Sequence, residues 1–166
     1  MLLVVANDPW QKTPSRRISP AADRLAMVAA ACEGEAGIEA SAIEIERGGP
    51  SYTVETMEAL RAEAARGHRP DPDLYLVIGS DLVATLPTWH RVDDLRAMVT
   101  LAVVTRPHSP VTVPAGWRGV RVGGPELDVS SSEVRRLMER GMPVGDLVPA
   151  PVIRCIQALG LYAVPR

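Results

Sequence analysis

Four polar clusters in this sequence have residue types and spacing suited to holding phosphates. The first is Ser130, Ser131 and Ser132 in a row, followed one helical turn later by Arg135. Such a run puts hydroxyls and exposed backbone donors at one helix N-terminus. A helical side chain leans toward its own N-terminus, so Arg135 can reach an anion docked there. The same residues equally describe a capping box, Ser130 with Glu133, beside ordinary surface arginines. The second cluster, Gly79-Ser80-Asp81, joins a residue that admits a ligand close to the backbone with a carboxylate able to accept hydrogen bonds from a ribose. An aspartate at that point also suits the N-cap of a following helix. The third and fourth, Asn7 to Lys12 and Thr105-Arg106-Pro107, each bring a cation.

Trp89 lies in the run Leu86-Pro87-Thr88-Trp89-His90, where a flat indole could stack on a ligand ring or pack against the body of the protein. His68, His90 and His108 stand in separate loops with no metal-ligand spacing, which argues against a protein-bound zinc. The sequence has no Gly-x-x-x-x-Gly-Lys-Ser/Thr loop, so a nucleotide is not expected to be held in the P-loop manner. It has no Gly-x-Ser-x-Gly elbow either.

The elements that must carry these clusters can be read from periodicity. Leu2 to Val5 reads as a fully buried strand, and Asp23 to Glu33, after a loop rich in proline, as a helix. Ile43-Glu44-Ile45-Glu46 alternates, which predicts a strand over Ala42 to Arg47. Thr53 to Arg66 has Val54, Met57, Leu60 and Ala64 on one helical face. Leu74 to Ile78 reads as a buried strand. Short helical pieces follow at Leu82 to Leu86, halted by Pro87, and at Asp93 to Met98. Val99 to Thr105 predicts another buried strand and Val120 to Val122 a short one. Helices are predicted from Ser130 to Arg140 and near Pro151 to Leu159. Strands alternating with helices imply an α/β fold with a doubly wound, mainly parallel sheet, and ligands in such sheets bind beyond the carboxyl ends of the strands. All four polar clusters fall at such ends or at a helix start.

Composition bounds the partners. The 166 residues carry 18 Lys+Arg against 20 Asp+Glu, a formal charge of -2, and aromatic residues make up only 4%. A basic stripe and a base-stacking surface are therefore not expected, and nucleic acid is a poor candidate partner. No apolar run approaches the roughly 20 residues of a membrane span. Cys32 and Cys155 sit far apart in apolar segments, which predicts buried free thiols in a reducing cytoplasm. The length suits a single domain over residues 1–166.

Six segments in order, Arg47-Gly-Gly-Pro-Ser-Tyr-Thr53, Tyr75-Leu-Val-Ile-Gly-Ser-Asp81, Leu86-Pro-Thr-Trp-His90, Val103-Val-Thr-Arg-Pro107, Val129-Ser-Ser-Ser-Glu-Val-Arg135 and Leu147-Val-Pro149 with Leu161-Tyr162, resemble the bacterial nicotinate-nucleotide adenylyltransferases. The resemblance implies a nucleotidyltransferase fold and transfer of AMP from ATP to nicotinate mononucleotide, giving nicotinate adenine dinucleotide and pyrophosphate in NAD biosynthesis. It implies Thr53 and the backbone near Trp89 and His90 at the nicotinate carboxylate, Trp89 stacked on the pyridine ring, and Asp81 on a ribose. Lys12 and Arg106 would neutralise phosphates. Gly79, Ser80, Ser130, Ser131 and Arg135 would serve ATP, with Lys12 and Arg135 stabilising charge during transfer. Mg2+ would arrive with ATP, not in a site of its own. His90 stands where many relatives carry Tyr, and Ser132 replaces the usual Thr. A homo-oligomer is compatible with the family. A pantetheine-phosphate adenylyltransferase is the sister reading.

The family's opening strand, its Gly-Gly-x-Phe-Asp-Pro loop and its His-x-Gly-His helix start have no counterpart in this sequence. Leu2 to Val5 aligns with the family's second strand. In the order 3-2-1-4-5 the absent strand is central, so the sheet is expected to fall into two parts with unpaired flanking edges and a cost to stability. An internal methionine taken as the start is the expected origin. A non-catalytic remnant that binds the mononucleotide is the alternative.

Overall fold

The computed structural model describes residues 1–9, 18–107, 109–124 and 129–162. In chain order the elements are β1 (Leu2–Val4), α1 (Ala21–Cys32), β2 (Glu39–Ser41), α2 (Ile43–Arg47), α3 (Thr53–Arg66), β3 (Leu74–Gly79), a 3-10 helix (Ser80–Thr88), α4 (Val92–Met98), β4 (Val99–Val104), β5 (Gly119–Val122), α5 (Ser131–Glu139) and α6 (Ala150–Ala158). They form two compact units, central and outer only by their place in the sequence: Tyr52–Asp128, and Met1–Ser51 with Val129–Arg166. The fold is α/β, and every strand pair is parallel.

The central unit, Tyr52–Asp128, is organised by the order β3-β4-β5. Register sets Leu74, Leu76 and Ile78 beside Val99, Leu101 and Val103, and this face packs with Val54 and Met57 of α3, Leu86 and Leu95. Side chains alternate across a strand, so Tyr75 and Val77 point the other way, where they are 60% and 51% exposed. The strand predicted as buried is thus buried on one face only. The 3-10 helix also corrects an expectation: it continues to Thr88 with Pro87 inside it, because proline's fixed φ lies within the 3-10 range and its missing N–H forfeits a single hydrogen bond.

The outer unit pairs β1 with β2, Leu2 opposite Glu39 and Val4 opposite Ser41. β1 is an edge with Leu2 exposed, not the fully buried strand expected; only Val5, just past it, is buried. The predicted strand at Ala42 to Arg47 is helix α2. Four alternating residues fit one helical turn as well as a strand, and pairing with β1 is already met by Glu39–Ser41. Gly48 and Gly49 then reverse the chain at φ 73° and 70°, a region costly for other residues. Ala30 of α1 and Val152 and Ile156 of α6 form the small core, with Met27, Met138 and Leu161 packed around it. Cys32 and Cys155 are free thiols, but half-buried instead of buried.

Among the described residues the parallel strands form two sheets, β1-β2 and β3-β4-β5. β1 pairs only with β2 and β3 only with β4 among the described residues, so both flanking strands stand at edges.

Candidate functional site

In the central unit the polar residues at the ends of β3 and β4 are drawn into one knot. Ser80 is buried, and its Oγ accepts from the Arg106 backbone N–H at 3.1 Å while facing the Ser109 carbonyl, to which it donates, at 3.1 Å. One hydroxyl therefore ties the loop after β4 to the end of β3. Arg106 Nε lies 4.0 Å from Asp81 Oδ1, and both side chains are about half exposed, so this is a loose pair that an anionic ligand can reorganise. Gly79 lets these side chains come close: a Cβ there would stand 2.3 Å from Asp81 Oδ1 and 3.1 Å from Arg106 Cγ, and would push the Asp81 carboxylate aside. Gly79, Ser80, Asp81 and Arg106, singled out from separate motifs, are thus neighbours.

Thr53 opens α3 and is half-buried. Tyr52, its N-cap, stacks on His90 with ring centroids 4.2 Å apart and 27° between planes. Trp89 is half-buried against the core, with its indole N–H donating to Thr85 Oγ1 at 3.1 Å and its backbone N–H to the Leu86 carbonyl at 3.0 Å. The indole is held at one edge, which fixes its plane. Arg91 follows in the left-handed region at φ 49°. Its guanidinium forks onto both oxygens of Glu58, at 2.7 and 3.2 Å, and reaches Asp94 at 2.7 Å. These hydrogen bonds, Glu58 first, hold Arg91 well above its ordinary pKa. The Tyr52 stack and the Arg91 clamp escape sequence reading, although Tyr52 lies within one motif and Arg91 directly follows another.

In the outer unit α5 begins as predicted. Ser130 Oγ accepts from the Glu133 N–H at 3.1 Å. The reciprocal half of the capping box is not made. Glu133 instead pairs with Arg136, three residues on, and the hydrogen bond from Arg136 lowers the Glu133 pKa. Its carboxylate gains more from a charged partner than from a neutral backbone N–H. Arg135 leans back toward the helix start, with Nη2 3.3 Å from Ser132 Oγ.

Ser131 and Arg135 line a pocket of about 410 Å3 together with Ala6, Ser19, Arg24 and Tyr162. Among the described residues two guanidiniums and no carboxylate stand in its lining. The early N–H groups of α5 lack acceptors within their own helix, so donors, helix dipole and cations favour an anion here together. Lys12 and His108 lie outside the described residues. Among the described residues no helix is long and apolar enough to cross a membrane.

A family profile described as cytidylyltransferase-like matches residues 1–137. The chain is 36% identical over 165 residues to the probable nicotinate-nucleotide adenylyltransferase of Acidothermus cellulolyticus, covering 98% of this chain and 79% of that one. It is 41% identical over 147 residues to the protein of the same name from Gemmatimonas aurantiaca, covering 84% and 67%. Among solved structures, the nicotinic acid mononucleotide adenylyltransferase of Plasmodium falciparum complexed with NaAD superposes with a TM-score of 0.73 at 16% identity, covering 97% of this chain and 81% of that one. At that identity the match speaks for the fold.

Proposed function

Since the chain belongs to the nicotinate-nucleotide adenylyltransferase family, we propose an account of how its residues carry AMP from ATP to nicotinate mononucleotide, forming nicotinate adenine dinucleotide and pyrophosphate. A phosphate oxygen of the mononucleotide attacks the α-phosphorus of ATP in line as the bond to pyrophosphate breaks. No side-chain nucleophile is required. The protein's part is to align two anions and to stabilise the charge that builds on the leaving group.

The pocket at the start of α5 carries the reading. Ser130, Ser131 and Arg135 receive the ATP phosphates there, the hydroxyl of Ser131 and the first N–H groups of α5 supplying donors and Arg135 the charge. Arg135 is the residue best placed to meet negative charge as it shifts toward pyrophosphate. Lys12 is assigned the same task by the family resemblance alone. Mg2+ enters as part of the ATP complex, neutralising phosphate charge.

The mononucleotide falls to the central unit. Trp89, its plane fixed by Thr85, offers a face for the pyridine ring, and Thr53 with the backbone near His90 receives the carboxylate. Asp81 holds a ribose, with Gly79 keeping the backbone low beside it, and Arg106 takes a phosphate. Ser80 supports them from beneath: its hydroxyl is committed to Arg106 and Ser109, so it positions the loop. The half-buried free thiols of Cys32 and Cys155 suit the reducing cytoplasm.

The test is pyrophosphate release from ATP. Release should require nicotinate mononucleotide and Mg2+ together. Mononucleotide-dependent thermal stabilisation without pyrophosphate would instead identify a binding protein, and stimulation by phosphopantetheine would move the chain to the sister activity.

A further inference from the structure

Arg24 makes an arrangement that the reaction as described does not use. It sits in the first turn of α1, the end of the helix where a cation gains nothing from the helix dipole. Its guanidinium instead turns inward and donates from all three nitrogens to backbone carbonyls: Nη1 to Ala6, Nη2 to Asn7 at 2.9 Å and Nε to Ser19 at 3.0 Å. Ala6 and Asn7 leave β1, and Ser19 leads into α1. One planar fork therefore fixes the separation of the two ends of the β1–α1 connection.

Both ends are secured a second time. Asn7 Nδ2 donates to the Gly49 carbonyl at 2.9 Å, and Ser19 Oγ lies 2.8 Å from the Tyr162 hydroxyl. Carbonyls carry no net charge, so the grip leaves the guanidinium's positive charge in place beside the pocket that Arg24 lines with Ser131 and Arg135. Lysine could replace that charge but not the fork, because an ammonium on a flexible stem cannot span three carbonyls in one plane.

We propose that Arg24 is a positioning residue for ATP use: by clamping Ala6, Asn7 and Ser19 it fixes the wall that Ala6 and Ser19 give to the pocket lined by Ser131 and Arg135 at the start of α5. This rests on the adenylyltransferase reading. Misplacement of a positioned group by an ångström is enough to cost on the order of 100-fold in rate.

The experiment compares the full chain with Arg24→Lys and Arg24→Gln by two readouts. The first is pyrophosphate release against ATP concentration. The second is timed trypsin digestion, with cleavage after Lys12, Arg16 and Arg17 followed relative to cleavage elsewhere. Both variants should lose roughly 10- to 100-fold in kcat/KM for ATP. Both should also be cut about 10-fold faster between residues 8 and 18 while the remaining pattern stays as in the parent. A lysine variant matching the parent in either readout would show that charge suffices and overturn the clamp. So would unchanged cleavage in both variants. If the parent itself releases no pyrophosphate, the functional reading fails, and the digestion still decides what Arg24 does. If Arg24→Gln does not fold, Arg24→Lys carries the comparison alone.

Discussion

The polar residues of the two units are held in opposite ways. In the central unit they are bound to one another: Ser80 to Arg106 and Ser109, Trp89 to Thr85, Tyr52 to His90, Arg91 to Glu58 and Asp94. They rest on a core in which Val54, Leu95, Val99, Leu101 and Val103 are wholly buried. In the outer unit Ser130 makes its cap, but α5 has no buried residue, and Ser131 and Arg135 face a pocket. A rigid aromatic ligand gains from surfaces fixed in advance, whereas a flexible polyphosphate gains from donors left open. The central cluster should therefore couple function to stability, and the outer one should separate them.

Arg135→Ala tests the separation most sharply. Loss of this half-buried cation at the anion pocket should lower kcat/KM for ATP by roughly 100-fold, in the range seen when one charge-stabilising donor is removed, with little change in Tm. An equally large fall in Tm would break the contrast. Ser80→Ala should do both things in smaller measure. Removing a buried hydroxyl that serves two backbone groups leaves a donor and an acceptor unmet, which costs about 1 to 3 kcal/mol in urea unfolding. The Arg106 loop, untied, should also raise the KM for the mononucleotide. A variant as stable as the parent would show that the knot does not support the unit.

The smallest effect is expected at Glu133, and it has a pH signature. Arg136 holds the Glu133 pKa below its ordinary value, so the folded state favours the carboxylate. Stability from the pair is present above the unfolded pKa, near 4.5, and is lost as pH falls through the lower folded value. Glu133→Gln should lower Tm slightly at pH 7 and not at all in strong acid. An acid-independent difference would mean that the pair acts through packing and not charge.

What could be read from sequence follows the range of the forces involved. The Ser130 cap and the helix Thr53–Arg66 were legible because their signals are local and repeated over a turn or more. The α2 turn was not, since Ile43-Glu44-Ile45-Glu46 is too short for either period to win. Gly79, Asp81 and Arg106 could be named from motifs, but not the bond that joins their loops through Ser80. Arg24 could not be named at all, because nothing local distinguishes an arginine that grips three distant carbonyls from one in water.

The edge at β3 has a practical bearing. Leu74-Tyr75-Leu76-Val77-Ile78-Gly79 holds no charge and no proline, pairs only with β4 among the described residues, and shows Tyr75 and Val77 to solvent. Short uncharged β-rich stretches of this kind recruit copies of themselves into stacked ribbons when molecules crowd. Concentrated preparations should cloud from this strand first, and a lysine in place of Val77 is the gatekeeper that would keep them clear.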